Sequence, residues 1–149
     1  MRTIMTNPEL SNFLALFGDI PFPLERVLKL HKSLYLVNSS AQHLIKNMSE
    51  EPVSVGLFLG TTKHPFTPSI PLLRIITPHT EKKITLNEKS AWLFVCGRDA
   101  FSDNILKGDT NSSLVIVLDE NGETLGLAKK KPDMYKNIVH AGQFLKNKQ

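Results

Sequence analysis

With Cys96 as its only cysteine in 149 residues, the chain has no internal disulfide and no multi-cysteine zinc ribbon or finger, so its fold must rest on packing. Its five histidines, at positions 31, 43, 64, 79 and 140, include no pair three or four residues apart, the spacing that sets two metal ligands on one helix face. No metal is expected. Long apolar runs are also missing. The longest, 91–96 and 114–118, fall far short of the roughly 20 residues that a membrane-spanning helix needs. The opening residues, Met-Arg-Thr-Ile-Met-Thr-Asn-Pro, lack a signal-peptide core and a small-residue cleavage site, so a cytoplasmic setting is expected. No carboxylate pair or glycine-rich phosphate loop accompanies His64 or His140, and Cys96 closes an apolar segment with no nucleophile signature around it. Neither catalysis nor a cofactor is expected, and Cys96 is expected to be a buried structural thiol.

What is present is enough apolar material for a packed core, at 41% hydrophobic residues, and an uneven distribution of charge. The whole chain carries 18 basic and 14 acidic residues, a net charge of +4. From Lys129 to Gln149 there are six lysines and one acid, Asp133, so that one end holds an excess of five. Such clustering is the footprint of a surface that binds a polyanion, and a solvated tail or an edge strand guarded by lysines would read similarly.

Asn7 can cap a helix with Pro8 at its first position and Leu10, Phe13, Leu14 and Phe17 at helical spacing, stopping at Gly18. Two alternating runs, 26–30 and 33–37, separated by His31 and Lys32, read as a hairpin. Ser39 or Ser40 can cap a second helix with an apolar stripe of Ala41, Leu44, Ile45 and Met48. Pro52 then opens a strand with Val53, Val55, Leu57 and Leu59 on one side. Gly56 and Gly60 lie where a neighbouring backbone would come close, and residues 63–66 return as the partner strand. Ser69 can cap a third helix with Pro71 in its first turn, and Pro78 ends it. The short polar stretch 78–83 is the expected boundary, placed near residue 81.

Beyond it, residues 84–86 form a strand and Asn87 caps the segment 88–96, which ends at Gly97. This segment is almost wholly apolar after Ser90, so periodicity does not distinguish helix from strand. The Asn cap and Gly stop favour helix, and Trp92 and Phe94 within it are expected in the core. After a polar loop, 107–112, comes the β-branched run 114–118. Asp119-Glu-Asn-Gly122 is a strong turn signal, and residues 124–128 return. Residues 138–140 give a last strand and 141–146 a terminal helical turn.

The order strand, helix, Gly-Arg-Asp, strand, hairpin, final strand across residues 82–149 resembles the PUA domain. The residues that carry it are Leu86-Asn-Glu-Lys-Ser-Ala91, Leu93-Phe-Val-Cys-Gly-Arg-Asp-Ala-Phe101 and Asp119-Glu-Asn-Gly-Glu-Thr-Leu-Gly-Leu-Ala128. The front half, through Pro52-Val-Ser-Val-Gly-Leu-Phe-Leu-Gly60 and Lys63-His-Pro-Phe-Thr-Pro-Ser69, resembles the pre-PUA domain of the Nip-seven family of ribosome-biogenesis factors, in its compact archaeal form. This resemblance implies an α+β protein. Residues 1–81 would be a pre-PUA α/β domain, with an antiparallel sheet flanked by helices, and residues 82–149 a PUA-type β pseudo-barrel. It further implies a non-catalytic factor acting on precursor ribosomal RNA in large-subunit biogenesis, binding uridine-rich or A/U-rich RNA. Ribosome-assembly proteins and the exosome would be its partners, and a monomer is expected. Carried over by position, the basic residues on the RNA side are Lys129, Lys130, Lys131 and Lys136.

Lysines neutralise phosphates without reading base identity, so other side chains must supply any preference. Arg98 either fixes the turn after the helix or faces RNA, and Tyr135, placed in a polar loop beside Lys136, is the candidate for stacking on a base. Lys82, Lys83, Lys107 and Lys146 would widen the basic surface. The rival reading is an RNA-modification enzyme or its RNA-targeting subunit, since PUA domains often accompany such enzymes. A third is a protein-interaction adaptor with incidental basicity.

Overall fold

The structure is a computed structural model, and it describes residues 3–4, 8–38, 40, 42–43, 56–63 and 65–146. They fall into two compact units, Met1–Leu72 and Leu73–Gln149.

In the first unit, α1 (Pro8–Ala15) buries Leu10, Phe13 and Leu14, the stripe expected from the apolar spacing, with Phe17 buried just beyond. Phe13 packs edge-on against Phe17 and tilted against Phe66, with ring centroids 5.3 and 5.1 Å apart, within the favourable range for aromatic pairs. The Asn7 cap, the stripe of Ala41, Leu44, Ile45 and Met48, and the strand opening at 52–55 lie outside the described residues. Among the described residues, five strands, β1 (Thr3–Ile4), β2 (Val27–Leu30), β3 (Ser33–Leu36), β4 (Leu57–Thr61) and β5 (Thr67–Pro68), form an antiparallel sheet in sequential order. The β2–β3 hairpin pairs Leu30 with Ser33 across His31 and Lys32, as the sequence pattern predicts.

Two details differ from expectation. The partner of β4 is Thr67–Pro68, not 63–66. Leu57 and Leu59 are also not equivalent. Leu34 pairs with Gly60 and Tyr35 with Phe58, so Leu59 is the extra residue of a bulge. It is fully buried, whereas Leu57 is exposed, because an inserted residue breaks the two-residue alternation of a strand. At Gly60 a Cβ would lie 2.4 Å from the Thr67 carbonyl oxygen, so the expected close backbone approach is real. Ser69 caps α2 (Ile70–Ile76) through the Leu72 N–H, which donates to Ser69 Oγ at 3.2 Å. The division between the units falls within this helix.

The second unit is built on six strands: β6 (Lys83–Leu86), β7 (Ala100–Phe101), β8 (Ile105–Gly108), β9 (Leu114–Leu118), β10 (Thr124–Lys130) and β11 (Met134–His140). Their order is β7-β11-β10-β9-β6-β8, antiparallel except for the parallel pair β6–β9. The sheet curls into a half-barrel. Its concave side closes on α3 (Glu88–Val95) through a core that includes Ile84, Phe94, Val117 and Tyr135. The expected helix is present, and its Asn87 Oδ1 accepts from the Ser90 N–H at 2.9 Å. Phe94 is fully buried as expected.

Trp92 is not buried. It is 68% exposed, and Cys96 is exposed as well. Glu88, Trp92 and Cys96 are four residues apart, so they share the solvent side of α3, while Ala91 and Phe94 take the core side. Strand β8 extends to Gly108, so the polar loop begins at Asp109 and not at Lys107. Strands β10 and β11 are longer than the sequence pattern predicts, and α4 (Ala141–Lys146) follows β11 directly.

Helix α3 is tied to β11 at its C-terminal end, where carbonyls have no intrahelical partner. Asn137 Nδ2 donates to the carbonyls of Phe94 at 2.9 Å and Arg98 at 3.1 Å. The Asn137 backbone N–H donates to Asp99 Oδ1 at 2.8 Å. His140 Nδ1 lies 2.9 Å from the Val95 carbonyl, which only accepts, so this nitrogen carries the proton. At Gly126 a Cβ would stand 1.9 Å from the Val139 carbonyl oxygen, so only glycine lets β10 and β11 approach this closely.

Candidate nucleic-acid interface

Strands β10 and β11 pair Lys129 with Lys136 and Lys130 with Tyr135. Residues directly opposite one another on antiparallel strands share a face of the sheet, and successive residues alternate. Tyr135 faces the core and is 1% exposed, so Lys129 and Lys136 stand on the outer face. The Lys131 N–H donates to the Met134 carbonyl at 2.8 Å, which closes the hairpin and continues the register. Strand β7 adds Phe101 opposite Met134 and Ala100 opposite Tyr135. The outer face therefore carries Lys129, Lys131 and Lys136 beside the ring of Phe101, which is 58% exposed.

Lys130 belongs to the other face. Its Nζ donates to the Thr110 carbonyl, fastening the end of β10 to the loop that begins at Asp109. That loop is organised by the Asp109 carboxylate, which accepts from the Ser112 hydroxyl at 2.6 Å and from the Asn111 N–H at 2.8 Å. The Ser112 bond first, then Asn111, lowers the Asp109 pKa below its usual value.

The predicted site residues are thus only partly brought together. Lys129, Lys131 and Lys136 share one surface, and Lys130 does not. Tyr135, expected in a polar loop, is a correction: it lies on β11 with its ring in the core. Burial first, and then the Asp109 charge, raise its pKa, and its hydroxyl has no partner among the described residues. It is not available for stacking. Arg98 lies in the turn after α3, but Asp99 and Asn137 fix that turn, and only the Arg98 backbone takes part. Its side chain is exposed. Lys83 is engaged by the Thr77 carbonyl at 2.9 Å, and it shares with Lys107 a hollow that also contains Glu81, Asp109, Asp119 and Glu120. Lys146 has no described side chain. Phe101 closes one of the PUA-like motifs but is not among the predicted site residues, because β7 is two residues long and shows no alternation.

Lysines placed directly opposite one another repel by a few tenths of a kcal/mol up to about 1 kcal/mol, and no carboxylate bonds to Lys129 or Lys136 among the described residues. A sheet that keeps such a pair beside an exposed aromatic breaks a local rule of stability, as binding surfaces do.

Residues 82–149 match the family model described as UPF0113 PUA domain. The C-terminal part of the chain is a PUA domain. The fold of the whole chain is similar to that of a conserved PUA domain protein from Thermoplasma acidophilum, at TM-score 0.63 and 11% identity over 97% of each chain. It is also similar to that of a hypothetical protein from Pyrococcus horikoshii OT3, at TM-score 0.53 and 13% identity over 95% of each chain. At these identities the likeness is one of fold. No curated protein matches the chain. In this PUA domain the lysine face belongs to β7, β10 and β11, and the tie from Asn137 to α3 lies directly beneath it.

Proposed function

We propose that the chain is a non-catalytic RNA-binding factor of large ribosomal subunit biogenesis. It would hold uridine-rich precursor ribosomal RNA on the outer face of β10 and β11. PUA domains generally bind RNA, and the Nip-seven resemblance supplies the ribosomal role and the assembly-protein partners. The observation that carries the reading is the placement of Lys129, Lys131 and Lys136 on one face beside Phe101. Three ammonium groups track a phosphate chain and release its counterions, while a flat ring accepts an unstacked base without demanding its identity. A preference for uridine then comes from the flexibility of weakly stacked strands.

The test is binding of a uridine-rich oligonucleotide across a salt series. Changing Lys129, Lys131 and Lys136 together to glutamine should weaken binding on the order of a hundredfold. The slope of log affinity against log salt should flatten by about 2, at roughly 0.7 per lost phosphate contact. Lys130→Gln should leave that slope unchanged. A triple variant that binds as the parent does removes the mechanism, and turnover of the oligonucleotide by the parent protein removes the non-catalytic assignment.

A further inference from the structure

The surface around Trp92 is electrostatically opposite to the lysine face. Trp92 projects from α3 with 68% of its surface exposed, an unusual position for the largest aromatic side chain. It stands between two hollows, both of which are also lined by Glu88 and Glu120. The first includes Lys89, Asn87 and Asn104. The second lies between α3 and the β9–β10 turn and contains Asp119 and the apolar side chains of Val95 and Leu125, with no basic residue among the described ones. Its volume of about 620 Å³ is that of a small-ligand cleft, enough for side chains but not for a folded element. Asp119 is partly committed, since its Oδ1 accepts from the Asn121 and Glu123 N–H groups at 2.8 and 2.9 Å. Neither Glu88 nor Glu120 makes a side-chain hydrogen bond or ion pair among the described residues.

An indole face with carboxylates at its rim matches one kind of group closely. A guanidinium stacks on the ring through its planar cation and reaches a carboxylate with paired N–H donors, while its aliphatic stem lies on apolar walls. A nucleic acid would bring phosphates to three carboxylates and be repelled. We infer that the Trp92 hollow docks an arginine-bearing segment of a protein partner. The inference stands independently of RNA binding at the lysine face.

Because Trp92 is the only tryptophan, its fluorescence in the full chain reports the hollow directly. Titration with hexa-arginine should change the emission saturably, and hexa-lysine should bind more weakly. Hexa-glutamate and a uridine-rich oligonucleotide should leave the emission unchanged. Glu88→Gln with Glu120→Gln should weaken the arginine response about tenfold, the scale of a partly desolvated cation–π and ion-pair contact. Calorimetry with Trp92→Leu should show a comparable loss, which separates ring stacking from general attraction between charges. Three results would overturn the inference: no saturable response, equal binding of hexa-arginine by Trp92→Leu and the parent, or a larger response to the oligonucleotide than to the peptide.

Discussion

Two surfaces of the PUA domain each present an exposed aromatic ring, and they differ in the charge that surrounds it. Phe101 stands beside Lys129, Lys131 and Lys136, whereas Trp92 is bordered by Glu88, Asp119 and Glu120. A ring in water attracts flat groups of many kinds, and its neighbours decide which of them can approach. The net charge of +4 conceals this division, because the lysines near the carboxyl end outweigh acids gathered elsewhere on the same small domain.

Both surfaces depend on the contact of β10 with β11 and of β11 with α3, so the comparison breaks most completely where those contacts fail. Gly126→Ala would force a methyl group into the Val139 carbonyl and part the two strands, and it should cost about 4 kcal/mol or more. Denaturant unfolding would measure it, and both binding activities should fall together. The next largest effect on stability is expected from Asn137→Ala. The change leaves the Phe94 and Arg98 carbonyls without this donor and should destabilise by about 2 kcal/mol.

Phe101→Ala sharpens the comparison, because it should weaken uridine-rich RNA about tenfold in a binding titration while leaving the Trp92 response to hexa-arginine intact. Trp92→Leu should leave RNA affinity unchanged. The smallest effect is expected from Tyr135→Phe. It removes a buried hydroxyl that has no partner among the described residues and should change stability by less than about 1 kcal/mol, in the stabilising direction. RNA affinity should not alter, and a substantial loss in that variant would return Tyr135 to the binding surface.

The features most legible in the sequence were those fixed by local chemistry. Ser69 and Asn87 announce their helices because a short polar side chain satisfies a free N–H within one turn, and the β9–β10 turn is written in Asp119 to Gly122. The lysine cluster was equally visible, although which lysines share a face was not. That depends on register, and Lys130 differs from its neighbours only once it is paired with Tyr135. Trp92 and Cys96 were misplaced because an almost wholly apolar helix hides its solvent side. Hydrophobicity suggests burial for every residue of such a run, while the four-residue spacing from Glu88 sends these two outward. Tyr135 failed for the converse reason. Its neighbours Asp133, Lys136 and Asn137 make the segment look like a loop, and its inward direction appears only in the alternation of β11.

Asn137 uses its amide hydrogens on two carbonyls and its backbone N–H on a carboxylate. A latch with so many of its donors in use offers no obvious second set of partners to exchange into, and long-range coupling between sites needs an element with two arrangements. Loads carried on the two surfaces should therefore add without cooperativity, and one small barrel can hold a polyanion and a cationic peptide side by side while each ignores the other.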